Sequence, residues 1–127
     1  MKKTITPVGD SEMEILHIVW DKGEATVAEV HEHILGYRKV AYTTVMTIMK
    51  KLADKGLLSF RKDGLTYVYR AEKPESEVKH SLLRQMLDKV FKGSPAEMVQ
   101  SLVENEALKP EEKAEIESLI EKLRGGS

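Results

Sequence analysis

The chain has 127 residues, 41% of them hydrophobic and 32% charged, with a formal net charge of −1. That length suits one domain, or one compact domain with an arm. No apolar run approaches the ~18 residues that cross a bilayer, residues 1–12 lack the apolar core of a signal peptide, and with no cysteine there is no disulfide, thiolate metal site or cysteine nucleophile. A cytoplasmic protein without membrane insertion is expected.

In chain order, Ser11 and Glu14 have capping-box spacing, and Ile15, Leu16, Ile18, Val19 and Trp20 make a strongly apolar helix to about Asp21, stopped by Gly23. Thr26 and Glu29 form a second capping box. Val27, Val30, Ile34 and Leu35 then give a short helix ended by Gly36. The linker Tyr37-Arg38-Lys39-Val40 leads into AYTTVMTIMKKLADKG, where Val45, Ile48, Met49 and Leu52 follow the i, i+3, i+4, i+7 spacing of a half-buried helix. The rest of that helix is a face of hydroxyls and ammonium groups: Thr43, Thr44, Met46, Thr47, Lys50 and Lys51, with no carboxylate before Asp54. Gly56 ends it at a C′ position.

Two alternating runs flank Asp63-Gly64, a strong signal for a hairpin with a two-residue turn. Leu58 and Phe60 share one face, and Leu65, Tyr67 and Tyr69 one face of the return strand; alternation predicts that these lean on the helical core. The alternative for the aromatics is a stacking platform for single strands. Arg61, Lys62, Thr66 and Arg70 fall nearer solvent or a ligand. Three helices with short connections and then a hairpin is the order of a winged helix-turn-helix.

The charge distribution agrees. Residues 1–36 hold three Lys against seven Asp/Glu, net −4; residues 37–73 hold nine Lys/Arg against three, net +6; residues 74–127 hold eight against eleven, net −3. A positive cluster on the helix and hairpin is the electrostatic footprint of a phosphate-binding surface, where a merely solvated face is the bland alternative. Threonine is a poor helix former, so Thr43, Thr44 and Thr47 together call for a reason. Their hydroxyls can meet phosphate or base edges and their methyls thymine. Met46 suits a thymine methyl or packing against the wing. No arginine on the helix is placed to read guanine, which points to an A·T-containing half-site.

Pro74 opens a new segment. Val78, Leu82, Leu83, Met86, Leu87, Val90 and Phe91 form a helical stripe. Ser94-Pro95-Ala96-Glu97 is a capping box with Pro at N1, ahead of Met98, Val99, Leu102 and Val103. Pro110 opens a last helix with Ile116, Leu119, Ile120 and Leu123. A unit this small is marginal alone, so its stripes need a partner surface: a second copy or, alternatively, its own winged helix.

At this point the chain resembles the BlaI/MecI/CopY family of bacterial repressors, the penicillinase repressor family. The likeness rests on DSEMEILHIVWDKGEATVAEV, TTVMTIMKKLADKGLL and KDGLTYVYR and covers roughly residues 7–123. It implies a mainly α fold with a small β-hairpin: a winged-helix DNA-binding domain over residues 1–73, a three-helix dimerisation arm over 74–124, and a flexible tail at 125–127. It implies a transcriptional repressor, with a link to antibiotic resistance, that binds a palindromic operator as a homodimer. The expected DNA contacts are Lys39, Ala41, Tyr42, Thr43, Thr44, Met46, Thr47, Lys50 and Lys51, with Arg61 and Lys62 on the wing. The expected dimer face comprises Leu82, Leu83, Met86, Leu87, Val90, Phe91, Leu102, Ile116, Leu119, Ile120 and Leu123. Copper-responsive members carry a cysteine pair, absent here. In β-lactam-responsive members a sensor-linked protease cuts within the dimerisation domain; the matching bond is Ser101-Leu102, where the best-known members have Asn-Phe.

The remaining features read as structural. His17, His31, His33 and His80 invite a metal reading: His31 and His33 sit two apart on a helix and face different ways, while Glu29 and His33 share a face and with a distant third ligand could bind a divalent metal, the alternative to a solvated helix face. Glu111, Glu112 and Glu115 look like helix-start charges. No phosphate loop, nucleophile elbow or catalytic pair is present, so neither enzyme activity, metal nor cofactor is expected. The rival to a repressor is a winged helix used as a protein-interaction module without DNA, which should show apolar and aromatic anchors in place of a positive helix face.

Overall fold

A computed structural model describes residues 7–125 as nine elements: α1 (Asp10–Lys22), β1 (Glu24–Thr26), α2 (Val27–Leu35), α3 (Tyr42–Asp54), β2 (Leu58–Asp63), β3 (Thr66–Ala71), α4 (Glu75–Val90), α5 (Pro95–Glu104) and α6 (Pro110–Gly125). Two compact units divide between Leu82 and Leu83. The expected boundary at residue 73 lies nine residues earlier. Val78 accounts for the difference: it is buried in the same core as α1, α2 and α3, with Leu82 packed against that core. Leu82, expected on the dimer face, is partly buried against this core.

The first unit starts differently from the capping expected at Ser11. Gly9 is the N-cap of α1, and its N–H donates to Glu12 Oε1 at 3.0 Å. Glu12 thus closes the first turn, and Glu14 is left to bond elsewhere. Gly23, at φ +84°, takes a positive backbone angle that glycine adopts without strain, and ends the helix. Its N–H donates to the Val19 carbonyl at 2.8 Å. The capping box at α2 forms as its sequence predicts: Thr26 Oγ1 accepts from the Glu29 N–H at 3.1 Å and the Thr26 N–H donates to Glu29 Oε1 at 2.8 Å.

The hairpin is part of a three-stranded antiparallel sheet in the order β1-β3-β2. β1, three residues long, was not legible as a strand; Glu24, Ala25 and Thr26 pair with Arg70, Tyr69 and Val68. Asp63 pairs with Thr66, so the two turn residues are Gly64 and Leu65, one step beyond the expected Asp63-Gly64. Gly64 has φ +65° and Leu65 does not share that sign, the pattern of a II′ turn with glycine first.

Ile15, Leu16, Val19, Val30, Ile34, Val45, Met49, Leu52, Leu57 and Leu58 fill the core, and Tyr69 and Ala25 close it from the sheet. Only the base of the hairpin reaches this core. Leu58 is buried, but Phe60 and Tyr67, two steps nearer the tip, are about half exposed. Alternation placed them correctly on one face; an open cleft, in place of packed side chains, separates them from α3. Leu35, expected on the buried face of α2, is also exposed.

In the second unit, Ser94 caps α5, its Oγ accepting from the Glu97 N–H at 3.2 Å, with Pro95 at N1. Neither α5 nor α6 has a buried residue. Leu87 is buried, while Leu83, Met86, Val90, Leu102, Leu119 and Leu123 stand exposed. Gly125, expected in the tail, is the last residue of α6, and residues 126–127 lie outside the described residues, as do residues 1–6 of the N-terminal stretch. No helix among the described residues is long and apolar enough to cross a membrane.

Candidate nucleic-acid interface

α3 is anchored from below and held at both ends. Val45, Met49 and Leu52 are fully buried, which fixes the rotation of the helix about its axis. That rotation turns Thr43, Thr44, Met46, Thr47, Lys50 and Lys51 outward, all of them exposed. At the C-terminal end Lys55 Nζ bonds Glu12 at 2.8 Å and the Pro7 carbonyl at 3.0 Å, tying α3 to the start of α1. Burial pushes the Glu12 carboxyl up, but the Lys55 hydrogen bond, the Gly9 N–H and the charges of Lys55 and Lys51 together hold it below its ordinary value.

At the N-terminal end the linker is clamped. Glu14 takes hydrogen bonds from Tyr37 Oη and from the Arg38 guanidinium, whose Nε lies 3.3 Å from Glu14 Oε2. The Arg38 hydrogen bond is the main reason that the Glu14 carboxyl sits below its usual range, against an opposing push from burial. His31 Nε2 lies 2.8 Å from the Val40 carbonyl oxygen. A carbonyl only accepts, so Nε2 carries the proton. The His31 ring also meets Tyr42 edge-on at 5.5 Å. The other histidine and carboxylate of the metal reading are likewise employed: Glu29 caps α2, and His33 lies edge-on to Tyr37 at 6.2 Å. No group of three or more metal-ligating side chains occurs among the described residues.

One feature separates α3 from its neighbours. Every other helix carries Asp or Glu in its first turn: Asp10 and Glu12, Glu29, Glu75 and Glu77, Glu97, Glu111 and Glu112. α3 has none, and its N-cap, Ala41, makes no side-chain cap bond. The first backbone N–H groups and the positive end of the dipole are left without a local anion. The hydroxyls of Thr43 and Thr44 do not serve as caps, which removes capping as the reason for them.

The cations divide into two groups. Lys39, Lys50, Lys51 and Lys62 are exposed and make no ion pair among the described residues. Arg61 pairs with Glu24 at 3.0 Å and approaches Asp63 at 3.9 Å. Successive strand residues point to opposite faces, and Lys62 opposite Tyr67 shares the face of Phe60 and Tyr69. That is the face turned to α3, because Phe60, Tyr67 and Tyr69 line a cleft with Tyr42, Met46, Thr47 and Lys50. Arg61 points the other way. Strand alternation already implied the split between Arg61 and Lys62; the Glu24 partner depended on β1.

A family model described as penicillinase repressor matches residues 8–122. The chain belongs to the penicillinase repressor family. It is a DNA-binding transcriptional repressor with a winged-helix reading head. The methicillin resistance regulatory protein MecI of Mammaliicoccus sciuri is 28% identical over 115 residues, 91% of this chain and 94% of MecI. The penicillinase repressor of Bacillus licheniformis is 26% identical, covering 94% of this chain and 93% of its own length. Among solved structures, monomeric B. licheniformis BlaI in complex with the blaP half-operator aligns with a TM-score of 0.51 and 28% identity, over 61% of this chain and 93% of that one. For this penicillinase repressor family member the winged-helix expectation therefore holds in sequence and in fold.

Proposed function

We propose that this repressor works in the cytoplasm as a homodimer on a palindromic operator, with α3 of each copy in a major groove and the wing on the adjoining strand. The observation that carries the reading is the uncapped, acid-free start of α3 beside Thr43, Thr44, Thr47, Lys50 and Lys51. An open helix N-terminus and unpaired ammonium groups suit phosphate, and short hydroxyl side chains suit base edges. On the wing, Lys62 is the better phosphate contact. Arg61 would first have to release Glu24.

The arm supplies the second copy. Exposed apolar groups at Leu83, Met86, Val90, Leu102, Leu119 and Leu123, with no buried residue in α5 or α6, support a face that another chain covers. Ile116 and Ile120 lie on α6, and the half-buried Phe91 follows the last residue of α4. Relief of repression by a sensor-linked protease is part of the proposal. Ser101 and Leu102 are both exposed within α5, so a cut there would destroy the arm and spare the reading head.

Binding of labelled duplexes, titrated with salt, tests the docking face. Lys50→Ala, Lys51→Ala and Lys62→Ala should weaken operator and random duplex alike, each lowering the salt slope by about one. Arg61→Ala should change the slope less. Thr44→Ala or Thr47→Ala should cost about 1–3 kcal/mol on the operator and little on random DNA. Unchanged affinity and slope after removal of all four cations would mean that a different face docks, or that the winged helix binds protein.

A further inference from the structure

The cleft between α3 and the wing has an apolar lining that neither phosphate nor base contacts employ. The Phe60 ring is 51% exposed and meets Tyr67 at 4.8 Å, nearly edge-on. Leu65, in the turn at the wing tip, is 99% exposed. Met46 faces them from α3, and Lys50 stands on the same cleft. None of these apolar groups is needed by the core, which closes on Leu58 and Tyr69. A fully solvated leucine in a turn position that polar residues ordinarily occupy gains nothing in the free chain.

We propose that this cleft seats one strand of duplex DNA, with deoxyribose rings packed on Phe60, Tyr67 and Leu65 while Lys50 and Lys62 take the phosphates on either side. The proposal rests on the docking face argued above. A sugar–phosphate strand alternates an anionic group with an apolar ring, and this face offers a partner for each: Lys50 in the cleft and Lys62 opposite Tyr67 on the wing for phosphate, and rings and an isobutyl group for sugar. Asp54 also lines the cleft, one turn past Lys50. Its carboxylate repels phosphate, so the strand must cross nearer the α3 N-terminus, the end left free of acid. The wing then holds DNA partly by a contact that releases no counterion.

That property gives the test. The full-length protein is titrated with a labelled random-sequence duplex at several salt concentrations, as wild type and as Leu65→Ser, Lys62→Ala and Lys50→Ala. Leu65 touches no core residue and Gly-Ser is a favoured II′ pair, so the serine variant keeps its fold. Leu65→Ser should weaken binding about tenfold, the factor for losing partial cover of one leucine side chain, with the salt slope unchanged. Lys62→Ala and Lys50→Ala should each lower the slope by about one. If both lysine variants behave so and Leu65→Ser binds like wild type, the apolar seat is wrong and the docking face stands. If neither lysine variant changes the slope, both fall. If wild type prefers single strands to duplex and Leu65→Ser removes that preference, the lining stacks bases and the proposal is overturned.

Discussion

The winged helix and the arm are built from similar amphipathic helices, yet only one of them closes a core within a single chain. In residues 7–82 the stripes of α1, α2, α3 and early α4 converge with the sheet, leaving Leu16, Val19, Val30, Val45 and Val78 fully buried. In residues 83–125, α5 and α6 bury nothing. Their sequences carry stripes of equal clarity. Periodicity declares that a helix has an apolar face; it does not say which molecule covers it. The reading head closes its core in one copy, while α5 and α6 leave their apolar faces exposed, and it is this contrast that the proposed assembly through the arm rests on.

Charge placed on the uncovered face should break that difference most sharply. Met86→Asp with Leu119→Asp puts two carboxylates on exposed positions of α4 and α6. The expected result is a monomer by sedimentation. Linked half-sites give each other a high effective concentration, so operator affinity should fall on the order of 10²–10⁴-fold, with little change in the thermal unfolding of the winged helix. A variant that remains dimeric with wild-type affinity would place the contact elsewhere.

Truncation sharpens where one region ends. A fragment of residues 1–73 lacks Val78, whose side chain is 0% exposed in the core; a fragment of residues 1–84 keeps it and Leu82. Burying a valine is worth roughly 1.5–3 kcal/mol, so the shorter fragment should be less stable by about that amount in urea. Equal midpoints would return the boundary to Pro74 and make the early part of α4 an arm element.

What the sequence made legible follows from range. Local chemistry was readable: the Thr26–Glu29 box, the Ser94 cap with Pro95, the buried set on α3 and the left-handed Gly56. Features set by distant partners were not. β1 is a strand only because β3 lies beside it, and Arg61 loses its freedom only because β1 brings Glu24 within reach. Phe60 and Tyr67 had the right alternation, but their burial depended on how closely α3 packs against the wing. At the start of α1, two acids at suitable spacing competed: Glu12 closes on Gly9, and Glu14 turns to the linker before α3. The absence of acid at the start of α3 was visible throughout, and it gained its meaning once the other five helices were seen to obey the opposite rule.

The smallest expected effect concerns acid. Glu12, Glu14 and Glu29 all belong to the winged helix, and their carboxyls are held below the ordinary value of 4.5. A carboxyl depressed in the folded state binds fewer protons there than in the unfolded chain. Its contribution is fully present above the unfolded value and is lost as pH falls through the lowered folded value. Stability of the 1–84 fragment should therefore be flat near neutrality and decline below about pH 4.5. Glu14→Gln should remove part of that decline. The loss at neutral pH should stay under about 1 kcal/mol, because the Arg38 partner is 43% exposed and solvent screens the pair. Glu12→Gln should cost more, since Glu12 and Lys55 are 13% and 20% exposed. Because Glu14 clamps the linker that enters α3, Glu14→Gln should also weaken operator binding slightly at neutral pH while leaving the salt slope unchanged. Urea midpoints between pH 3 and 7 for the two variants decide this. An acid decline identical to wild type in both would show that these pairs hold the two ends of α3 in place without coupling the fold's stability to pH.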